Sequence, residues 1–420
     1  MPRSVSGWHG RAPWRGRVAA CAGAVLLLTG PAFAADWPQF RGPNRDGKSA
    51  ETGLLESWPE GGPRLLLTLG DLGDGFSSPV IAAGRIFVTG KVKDDCRVFS
   101  FDLEGRRLWQ SKAGPEFTGF WPAARSTPTF DDGMVYVLTG AGRLAALDAA
   151  TGQEAWGFNI FEAFRSKRPF YGVAESVLVA GPHVICTPGG SDTCIMAIDK
   201  KTGYTVWTSR GIGAEAGYAS PILADWQGIR QIITLTDGGL VGVRADNGTV
   251  LWSFDKYFPK EPARKILTPI FRDGYVFADG GHLCKGGTVR LEIVGSAVTA
   301  TGVWEKPQRA THLGGYVERD SLLFGHDGQG WACTEMLTGI VRYKSKEIAP
   351  AATLWADGRF YCLGESGKMH LVEADARACR IVSSFKIPSA GPQTWAYPAI
   401  SDGKLFIRRA DKVFMYDIRR

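Results

Sequence analysis

The chain has 420 residues, 44% of them hydrophobic, with 54 glycines and 23 prolines, which is enough apolar material for one large buried core. Its 49 basic and 42 acidic residues give a formal net charge of +7, but the basic residues are scattered and form no run or stripe. A phosphate backbone is bound by such runs, so nucleic acid is excluded as an expected partner.

Residues 1–34 have the features of a secretory signal peptide. Four arginines precede an apolar run from Val18 to Leu28, and Ala32, Phe33 and Ala34 form a small-x-small cleavage site. We expect cleavage after Ala34 and a periplasmic or secreted protein, whose formal charge falls by the four arginines to +3. No later segment approaches the ~20 apolar residues of a transmembrane helix.

A pattern of strands and turns recurs through the rest of the chain at intervals of roughly 40 to 50 residues, a period typical of solenoids and propellers. Its clearest copy is residues 142–156, which contain an Asp-x-x-Thr-Gly corner from Asp148 to Gly152 and end at Trp156. Eight copies begin with a Ser/Thr-Pro step or a relic of one: Ser78-Pro79, Thr127-Pro128, Ser176-Val177, Ser220-Pro221, Thr268-Pro269, Gly315-Tyr316, Ala352-Thr353 and Tyr397-Pro398.

Each copy predicts a four-stranded antiparallel meander, because short apolar runs such as Met134 to Leu138 alternate with glycine turns. We therefore predict an all-β, eight-bladed propeller over residues 64–420. Copies five to seven are degenerate, with Tyr343 and Phe385 at or near the tryptophan position, so seven blades or a distorted eighth remain alternatives.

The two ends of the propeller are predicted to meet in one blade. The last copy ends at Arg420 after three strands, while the strand-like run from Arg64 to Leu69 precedes the first copy. We expect this N-terminal strand to complete the last blade, which leaves no long exposed edge. Residues 35–63 are then an N-terminal extension that packs on the propeller.

The regular spacing of tryptophans within the repeats predicts a structural role. One tryptophan per copy lies on the outer strand, and we expect these side chains to dock neighbouring blades: Trp109, Trp156, Trp207, Trp252 and Trp304. Burial of one such ring gives a gross hydrophobic stabilisation of about 4–6 kcal/mol. In the corners, Asp148 accepts backbone N–H bonds and Gly152 supplies a positive φ.

Residues just before the innermost strand of each blade are predicted to line one mouth of the axial funnel. They include Trp121, Tyr171 and Gln393 and the candidate ligand-binding residues Arg125, Glu175, Tyr218, Lys265, His312 and Trp395. This mixed charged and aromatic rim suits sugars, quinones or a peptide strand, and the sequence does not choose among them. Arg125 and Glu175 are either a pair for a polar ligand or, as we favour, neutralise each other at the channel wall.

The segment from Phe158 to Phe170 is the longest connection inside the repeats. It either covers the funnel or docks a partner, or it is a short helix packed on the propeller face, which we favour. Cys186 and Cys194 flank a glycine turn, and we leave open whether they form a disulfide or are buried thiols. We expect no metal site and assign no catalytic residue, because Cys-x-x-Cys and Gly-x-Ser-x-Gly motifs are absent from the sequence.

The corner-and-tryptophan repeat resembles the pyrroloquinoline-quinone (PQQ) repeat, and residues 64–420 are similar to the quinoprotein-alcohol-dehydrogenase-like propeller superfamily. The segment from Trp37 to Gly47, followed by Trp58-Pro59, further resembles exported bacterial PQQ-binding-like propeller proteins. The resemblance implies the propeller fold. Its members include calcium- and PQQ-dependent dehydrogenases and non-catalytic scaffolds, such as the propeller lipoprotein of outer-membrane barrel assembly.

Departures from the dehydrogenases decide between these functions. Those enzymes hold the quinone between a tryptophan and two adjacent cysteines, and this sequence has no Cys-Cys pair; nor does it show a spaced set of calcium-ligating side chains. The lipobox cysteine of the scaffold lipoprotein is also missing. We expect an exported non-catalytic binding or assembly scaffold with a protein partner or a small polar ligand at the funnel face. The alternative is a PQQ- and calcium-dependent oxidoreductase with a non-standard pocket.

Overall fold

A computed structural model describes residues 36–258, 265–281, 284–309, 315–388 and 393–420 of the chain. These residues form eight sheets of four antiparallel strands, each sheet being one blade of a β-propeller. The predicted all-β fold and the predicted eight blades are therefore confirmed. In each blade we label the strands A to D from the axis outward.

The first four blades follow the chain order directly. Blade 1 contains β2 to β5, Val80–Ala82, Arg85–Val92, Asp95–Asp102 and Arg107–Pro115. Blade 2 contains β6 to β9, Thr129–Asp131, Met134–Leu138, Arg143–Asp148 and Glu154–Asn159, and is followed by the helix α1, Ile160–Phe164. Blade 3 contains β10, β11, β13 and β14, Leu178–Ala180, His183–Cys186, Met196–Asp199 and Thr205–Thr208; a separate ribbon pairs β12, Gly189–Gly190, with β15, Ala214–Glu215. Blade 4 contains β16 to β19, Ile222–Trp226, Ile229–Thr236, Gly239–Arg244 and Val250–Phe254.

The degenerate copies also form complete blades. Blade 5 contains β20 to β23, Ile270–Arg272, Tyr275–Asp279, Cys284–Val294 and Ala297–Arg309, with a long outer hairpin. Blade 6 contains β24 to β27, Val317–Arg319, Leu322–His326, Trp331–Glu335 and Val341–Ser345. Blade 7 contains β28 to β31, Ala351–Ala356, Arg359–Gly364, Lys368–Ala374 and Cys379–Lys386.

Blade 8 joins the two ends of the chain, as predicted. Its inner strands β32 to β34 are Ala399–Ser401, Lys404–Arg409 and Lys412–Asp417, and its outer strand is β1, Arg64–Leu69. The register of β1 on β34 runs from Arg64 opposite Asp417 to Leu69 opposite Val413. An ion pair of 2.8 Å between Arg64 and Asp417 lies at one end of this pairing.

The antiparallel order of the strands gives the propeller two different faces. The A–B and C–D turns lie on one face, here called the turn face, while the B–C turns and the connections between blades lie on the other, here called the loop face. Residues 36–58, here called the tail, contact the turn-face side: Trp37 pairs with Ile81 of strand A in blade 1, and Glu51 accepts N–H bonds from Asp402 and Gly403 in a turn of blade 8.

Hydroxyl groups link the innermost strands around part of the axis. The backbone N–H of Ser78 donates to Thr127 Oγ1, that of Thr127 to Ser176 Oγ, and that of Ser176 to Ser220 Oγ, each at 2.9 Å. The N–H of Tyr397 donates to Ser78 Oγ at 3.0 Å and so brings blade 8 into the series. The Ser/Thr residues that mark the repeats in the sequence therefore connect consecutive blades by satisfying buried backbone donors.

Each gap between blades holds apolar side chains from both neighbours. The largest cluster includes the tail tryptophans Trp37 and Trp58 with side chains of blades 1, 7 and 8. Cys186 and Cys194 are both buried free thiols. Among the described residues, no helix is long and apolar enough to cross a membrane.

Candidate functional site

Hydrogen bonds join the connections that enter blades 2 to 5 on the loop face. Arg125 donates to the carbonyl of Tyr171 at 2.5 Å, and the N–H of Tyr171 donates to the hydroxyl of Tyr218 at 3.3 Å. The N–H of Tyr218 donates in turn to the carbonyl of Lys265 at 2.8 Å. The side chain of Lys265 is 1% exposed and pairs with Asp237 at 3.1 Å. Three of the candidate residues, Arg125, Tyr218 and Lys265, thus lie on one arc.

Aromatic side chains from the connections that enter blades 8, 1, 2 and 3 lie beside and partly on this arc. We call them the aromatic ridge, which consists of Phe76, Phe120, Trp121, Phe170, Tyr171 and Trp395. Ring centroids are 4.6 Å apart for Phe76 and Trp395, 5.3 Å for Trp395 and Trp121, and 5.6 Å for Phe120 and Phe170. Phe120, Trp121 and Phe170 remain 62%, 50% and 68% exposed, so the ridge presents apolar surface to solvent.

Arg125 holds the backbone that carries the ridge. Its guanidinium donates to the carbonyl of Phe120 at 2.8 Å and to that of Trp121 at 2.6 Å. Trp121 has a φ of +58°, a left-handed conformation that costs a non-glycine residue about 1–3 kcal/mol. Burial lowers the pKa of Arg125, although the charge of Glu116 acts in the opposite direction. The bonds of Arg125 to Phe120 and Trp121 therefore stabilise a strained and exposed turn.

The end of the ridge at blade 8 is fixed by a carboxylate. The indole Nε1 of Trp395 donates to Glu365 Oε1 at 2.7 Å, and the backbone N–H of Thr394 donates to the carbonyl of Glu365 at 2.9 Å. Trp395, another candidate residue, therefore presents one edge of its ring to blade 7 and the other to Trp121.

Glu175 is 2% exposed and faces the tail. Its carboxylate accepts the N–H of Thr187 at 3.1 and 3.2 Å, and it interacts electrostatically with the guanidinium of Arg45. Burial raises the pKa of Glu175 to about 8, against the opposing effects of Thr187 and Arg45. Burial likewise lowers the pKa of Arg45 to about 9.

The candidate residues therefore do not form a single cluster. Arg125, Tyr218, Lys265 and Trp395 lie along the loop-face rim, whereas Glu175 is buried and interacts with Arg45 of the tail. Arg125 and Glu175 form no ion pair within the described chain. The carboxylate that acts on the pKa of Arg125 is Glu116, and the cation that acts on the pKa of Glu175 is Arg45. His312 lies outside the described residues.

Sequence reasoning missed two charged groups next to these candidates. Arg45 donates to the carbonyls of Ser176 at 2.5 Å and Val177 at 2.8 Å, although 131 or more residues separate them. Glu116 is buried and accepts the N–H groups of Phe117 and Gly140 at 2.8 and 2.7 Å. The two arginines in the motif from Trp37 to Gly47 were a usable signal, whereas nothing in the repeat pattern identifies Glu116.

A basic segment lies beside the aromatic ridge. The helix α1 is capped by Asn159, whose side chain accepts the N–H of Phe161 at 2.9 Å, and it ends before Arg165, whose φ is +52°. Arg165, Lys167 and Arg168 follow and are exposed. We call residues 165–168 the basic segment. The favoured prediction of a short helix in this connection agrees with α1.

The predicted docking tryptophans contact their neighbours in two ways. Trp109, Trp156 and Trp304 donate from Nε1 to carbonyls in the next blade, those of Ala149 at 3.0 Å, Lys200 at 3.2 Å and Met336 at 2.8 Å. Trp207 lies against Gly248 of the following blade. Trp252 differs, because its Nε1 donates at 2.8 Å to Gln231 within its own blade.

The chain is similar in sequence to two groups of proteins. Outer membrane protein assembly factor BamB of Nitrosomonas eutropha is 31% identical over 131 residues, covering 31% of this chain and 28% of the relative. Quinohemoprotein alcohol dehydrogenase ADH IIB of Pseudomonas putida is 29% identical over 177 residues, covering 39% of this chain and 25% of the relative. The matches thus span little more than a quarter of the length of these relatives.

Solved structures give the same two groups. The crystal structure of BamB from Moraxella catarrhalis superposes with a TM-score of 0.61 at 16% identity, covering 85% of this chain and 98% of that chain. Quinohemoprotein alcohol dehydrogenase from Comamonas testosteroni gives a TM-score of 0.64 at 14% identity, covering 91% of this chain and 80% of that chain. At these identities the likeness shows the fold alone.

A family model extends over more than half of the chain. The model described as outer membrane protein assembly factor BamB matches residues 94–339, from the B–C turn of blade 1 to the C–D corner of blade 6. This range contains the corners and the tryptophans from which the repeat was recognised. The chain therefore belongs to the PQQ-repeat β-propeller family represented by the assembly factor BamB.

Proposed function

We propose that this protein is an exported, non-catalytic scaffold that binds a protein partner on its loop face. The observation that carries the proposal is the aromatic ridge, where Phe120, Trp121 and Phe170 are each at least half exposed. Large exposed aromatic clusters are costly to maintain in water and are typical of protein interfaces. Relatives named as outer membrane protein assembly factors support a role in assembly.

The rigidity of the ridge also supports binding. Arg125 fixes two of its carbonyls and bridges to the next connection through Tyr171, so the exposed rings are held before a partner arrives. A preorganised surface avoids part of the entropy lost in association. The signal-peptide pattern of residues 1–34 supports a periplasmic or secreted location for this surface.

The residues of the channel do not fit the quinone and calcium of the dehydrogenases. In the described chain no group of three His, Cys, Asp or Glu side chains is placed to hold a metal ion. Two buried carboxylates are engaged with protein groups: Glu175 with Thr187, and Asp279 with the hydroxyl of Tyr316 at 2.9 Å and Lys306 at 3.0 Å. A hard cation needs several free oxygen ligands, so we derive no reaction step through this cofactor.

The oxidoreductase alternative rests on the quinohemoprotein relatives and has a direct test. Thermal unfolding of the mature protein is measured with and without PQQ plus calcium, together with an absorbance spectrum after dialysis. Binding to the folded state raises the midpoint, because it stabilises only that state. The scaffold proposal expects no shift and no retained chromophore; a raised midpoint with bound quinone would favour the oxidoreductase.

The scaffold proposal is tested by site-specific photocrosslinking in cells. A benzoylphenylalanine replaces Phe120 or Phe170 in the full chain, and the control replaces Tyr204, which is 77% exposed on a turn-face corner of blade 3. We expect a discrete adduct of the same mass from both ridge positions and none from position 204. Adducts that are absent from the ridge, or equal at all three positions, contradict the proposal.

A further inference from the structure

Exposed aromatic side chains and exposed basic side chains lie next to each other on the loop face. Phe120 and Phe170 stack with centroids 5.6 Å apart, and the basic segment ends two residues before Phe170. The ring of Phe117 joins them, because the guanidinium of Arg168 lies 4.8 Å from its centroid and that of Arg125 lies 5.2 Å from it. The apolar ridge and the cations are therefore one continuous surface.

The three cations of the basic segment, Arg165, Lys167 and Arg168, are all exposed to solvent. Elsewhere in the described chain, exposed basic side chains commonly have a carboxylate neighbour, as Arg106 has Asp102 at 2.6 Å. Within the same described residues no carboxylate lies at ion-pair distance from Arg165, Lys167 or Arg168. Three like charges in four residues repel one another and raise the local positive potential.

The backbone of this surface is fixed by hydrogen bonds. The N–H of Gly172 donates to the carbonyl of Pro169 and that of Val173 to the carbonyl of Gly140, both at 2.9 Å. The backbone that follows the basic segment and carries Phe170 and Tyr171 is therefore fixed, and the two parts of the surface lie close enough for one ligand to contact both.

We propose that the aromatic ridge and the basic segment together dock an acidic segment of a partner protein that also carries apolar side chains. Its apolar groups cover Phe120, Trp121 and Phe170, and its carboxylates pair with the basic segment. Opposite charges steer such an encounter and fix its register, while burial of the rings supplies most of the affinity. This inference rests on the proposed scaffold function and names the chemistry of the partner.

A protein segment fits this surface better than an anionic membrane does. Asp94, whose side chain is 85% exposed, and Glu162 are carboxylates on the same face, beside the ridge and the basic segment respectively. A flat anionic bilayer would meet both of these charges. An extended chain can follow the ridge and avoid them.

The experiment uses the mature protein and a fluorescent synthetic peptide of 12 residues in which Asp and Glu alternate with Phe and Leu. A second peptide has Lys in place of every acidic residue. Anisotropy gives the dissociation constants at low and high salt. We expect binding of the acidic peptide alone, weakened as salt rises. Anionic phosphatidylglycerol vesicles are tested in parallel.

Two sets of variants measure separately how much the basic segment and the ridge aromatics contribute to peptide binding. The triple variant Arg165→Glu, Lys167→Glu, Arg168→Glu should bind the acidic peptide about tenfold or more weakly, since attraction becomes repulsion. A matched control reverses three exposed cations on the turn face, Lys201→Glu, Arg230→Glu and Arg377→Glu, and should change binding by less than about twofold. The pair Phe120→Ala, Phe170→Ala should also weaken binding. Equal thermal midpoints show that the variants are folded.

The outcomes distinguish this inference from the scaffold proposal. Vesicle binding without peptide binding, equal binding of both peptides, or no effect of the triple reversal each overturn the acidic partner. In all of these cases the cellular crosslinks from positions 120 and 170 can still form, and they would then continue to support the scaffold proposal. If those crosslinks are absent while the acidic peptide binds with the expected variant effects, the scaffold proposal alone fails.

Discussion

Buried arginines near the axis connect segments that are distant in the sequence. Arg41 donates to the carbonyl of Tyr316 at 2.5 Å across 275 residues, and Arg408 donates to Ser77 Oγ at 2.6 Å across 331. Burial lowers the pKa of Arg408 to about 10. A guanidinium suits this role because its fixed fork of donors satisfies several carbonyls at once, which offsets the cost of removing the charge from water.

The same burial makes the stability of the protein depend on pH through Glu175. The folded-state pKa of this carboxyl is about 8, above the ordinary value of 4.5, so the folded state binds more protons than the unfolded state between these values. The contribution to stability is complete below pH 4.5 and is lost as pH rises towards 8. The side chain of the Glu175→Gln variant cannot ionise. We therefore expect the midpoint of the variant to rise relative to that of the natural protein between pH 5 and pH 8.

A second variant tests whether the removal of an exposed carboxylate has the same effect. Glu162→Gln removes an exposed carboxylate on the same face and should give a difference from the natural protein that stays constant over the pH range. Midpoints of all three proteins are measured by differential scanning calorimetry at pH 5, 6.5 and 8. If the Glu175→Gln curve runs parallel to the natural one, the carboxyl is not protonated by burial.

At the scale of the element, the corner between strands C and D is the best-determined feature. Asp148 Oδ1 accepts the N–H groups of Ala150 at 3.0 Å and Thr151 at 2.8 Å, and Asp199 does the same in the next blade. Gly152 then reverses the chain with a φ of +74°. Because its partners lie within four residues, such a corner can be predicted from the sequence, as the Asp-x-x-Thr-Gly pattern was.

The corner glycine is also where the neighbouring tryptophan packs. A Cβ atom on Gly152 would lie 2.6 Å from the ring of Trp109, whereas one on Gly133, with a similar φ of +77°, would meet nothing within 4 Å. We expect Gly133→Ala to lower the unfolding free energy by about 1–2 kcal/mol, for its left-handed backbone alone. Gly152→Ala adds displacement of the tryptophan, a further ~1–3 kcal/mol.

Chemical denaturation followed by tryptophan fluorescence measures both glycine variants. The difference between them isolates the contact between blades from the strain of the turn. Equal losses for the two variants would mean that Trp109 does not depend on close approach to the corner, and its predicted docking role would lose its support.

The site was less predictable than the blades for a physical reason. The position of the rim before each innermost strand follows from the repeat, so Arg125, Tyr218, Lys265 and Trp395 could be named. The partner of Glu175 could not, because Arg45 belongs to a segment without repeat periodicity that reaches blade 3 from the other end of the fold. The exposure of Phe120 and Phe170 could not be predicted either, because apolar residues in a sequence are expected to be buried.

At the scale of the whole molecule, the ring is held closed by two separate devices. The strand β1 covers the outer edge of β34, and the tail contacts blades 1, 2, 3, 6, 7 and 8. Trp58 adds an anchor where the tail leaves the turn face, since its ring lies 4.8 Å from that of Phe385. One device supplies a missing strand, and the other cross-links strands that are already present.

Chains that begin at residue 36, 60 or 70 separate these two devices. The chain from residue 60 keeps β1 but loses the tail, including Arg41 and Arg45, so we expect it to remain a folded monomer with a lower thermal midpoint. The chain from residue 70 also exposes the outer edge of the strand Lys412–Asp417, which has four apolar or aromatic side chains, Val413, Phe414, Met415 and Tyr416. An unpaired strand edge recruits other chains, so this form should dimerise or aggregate, as measured by size-exclusion chromatography with light scattering. The chain from residue 36 is the reference for mass and thermal midpoint. A chain from residue 70 with the same mass in solution and the same midpoint as the chain from residue 60 would show that closure by β1 contributes nothing to stability.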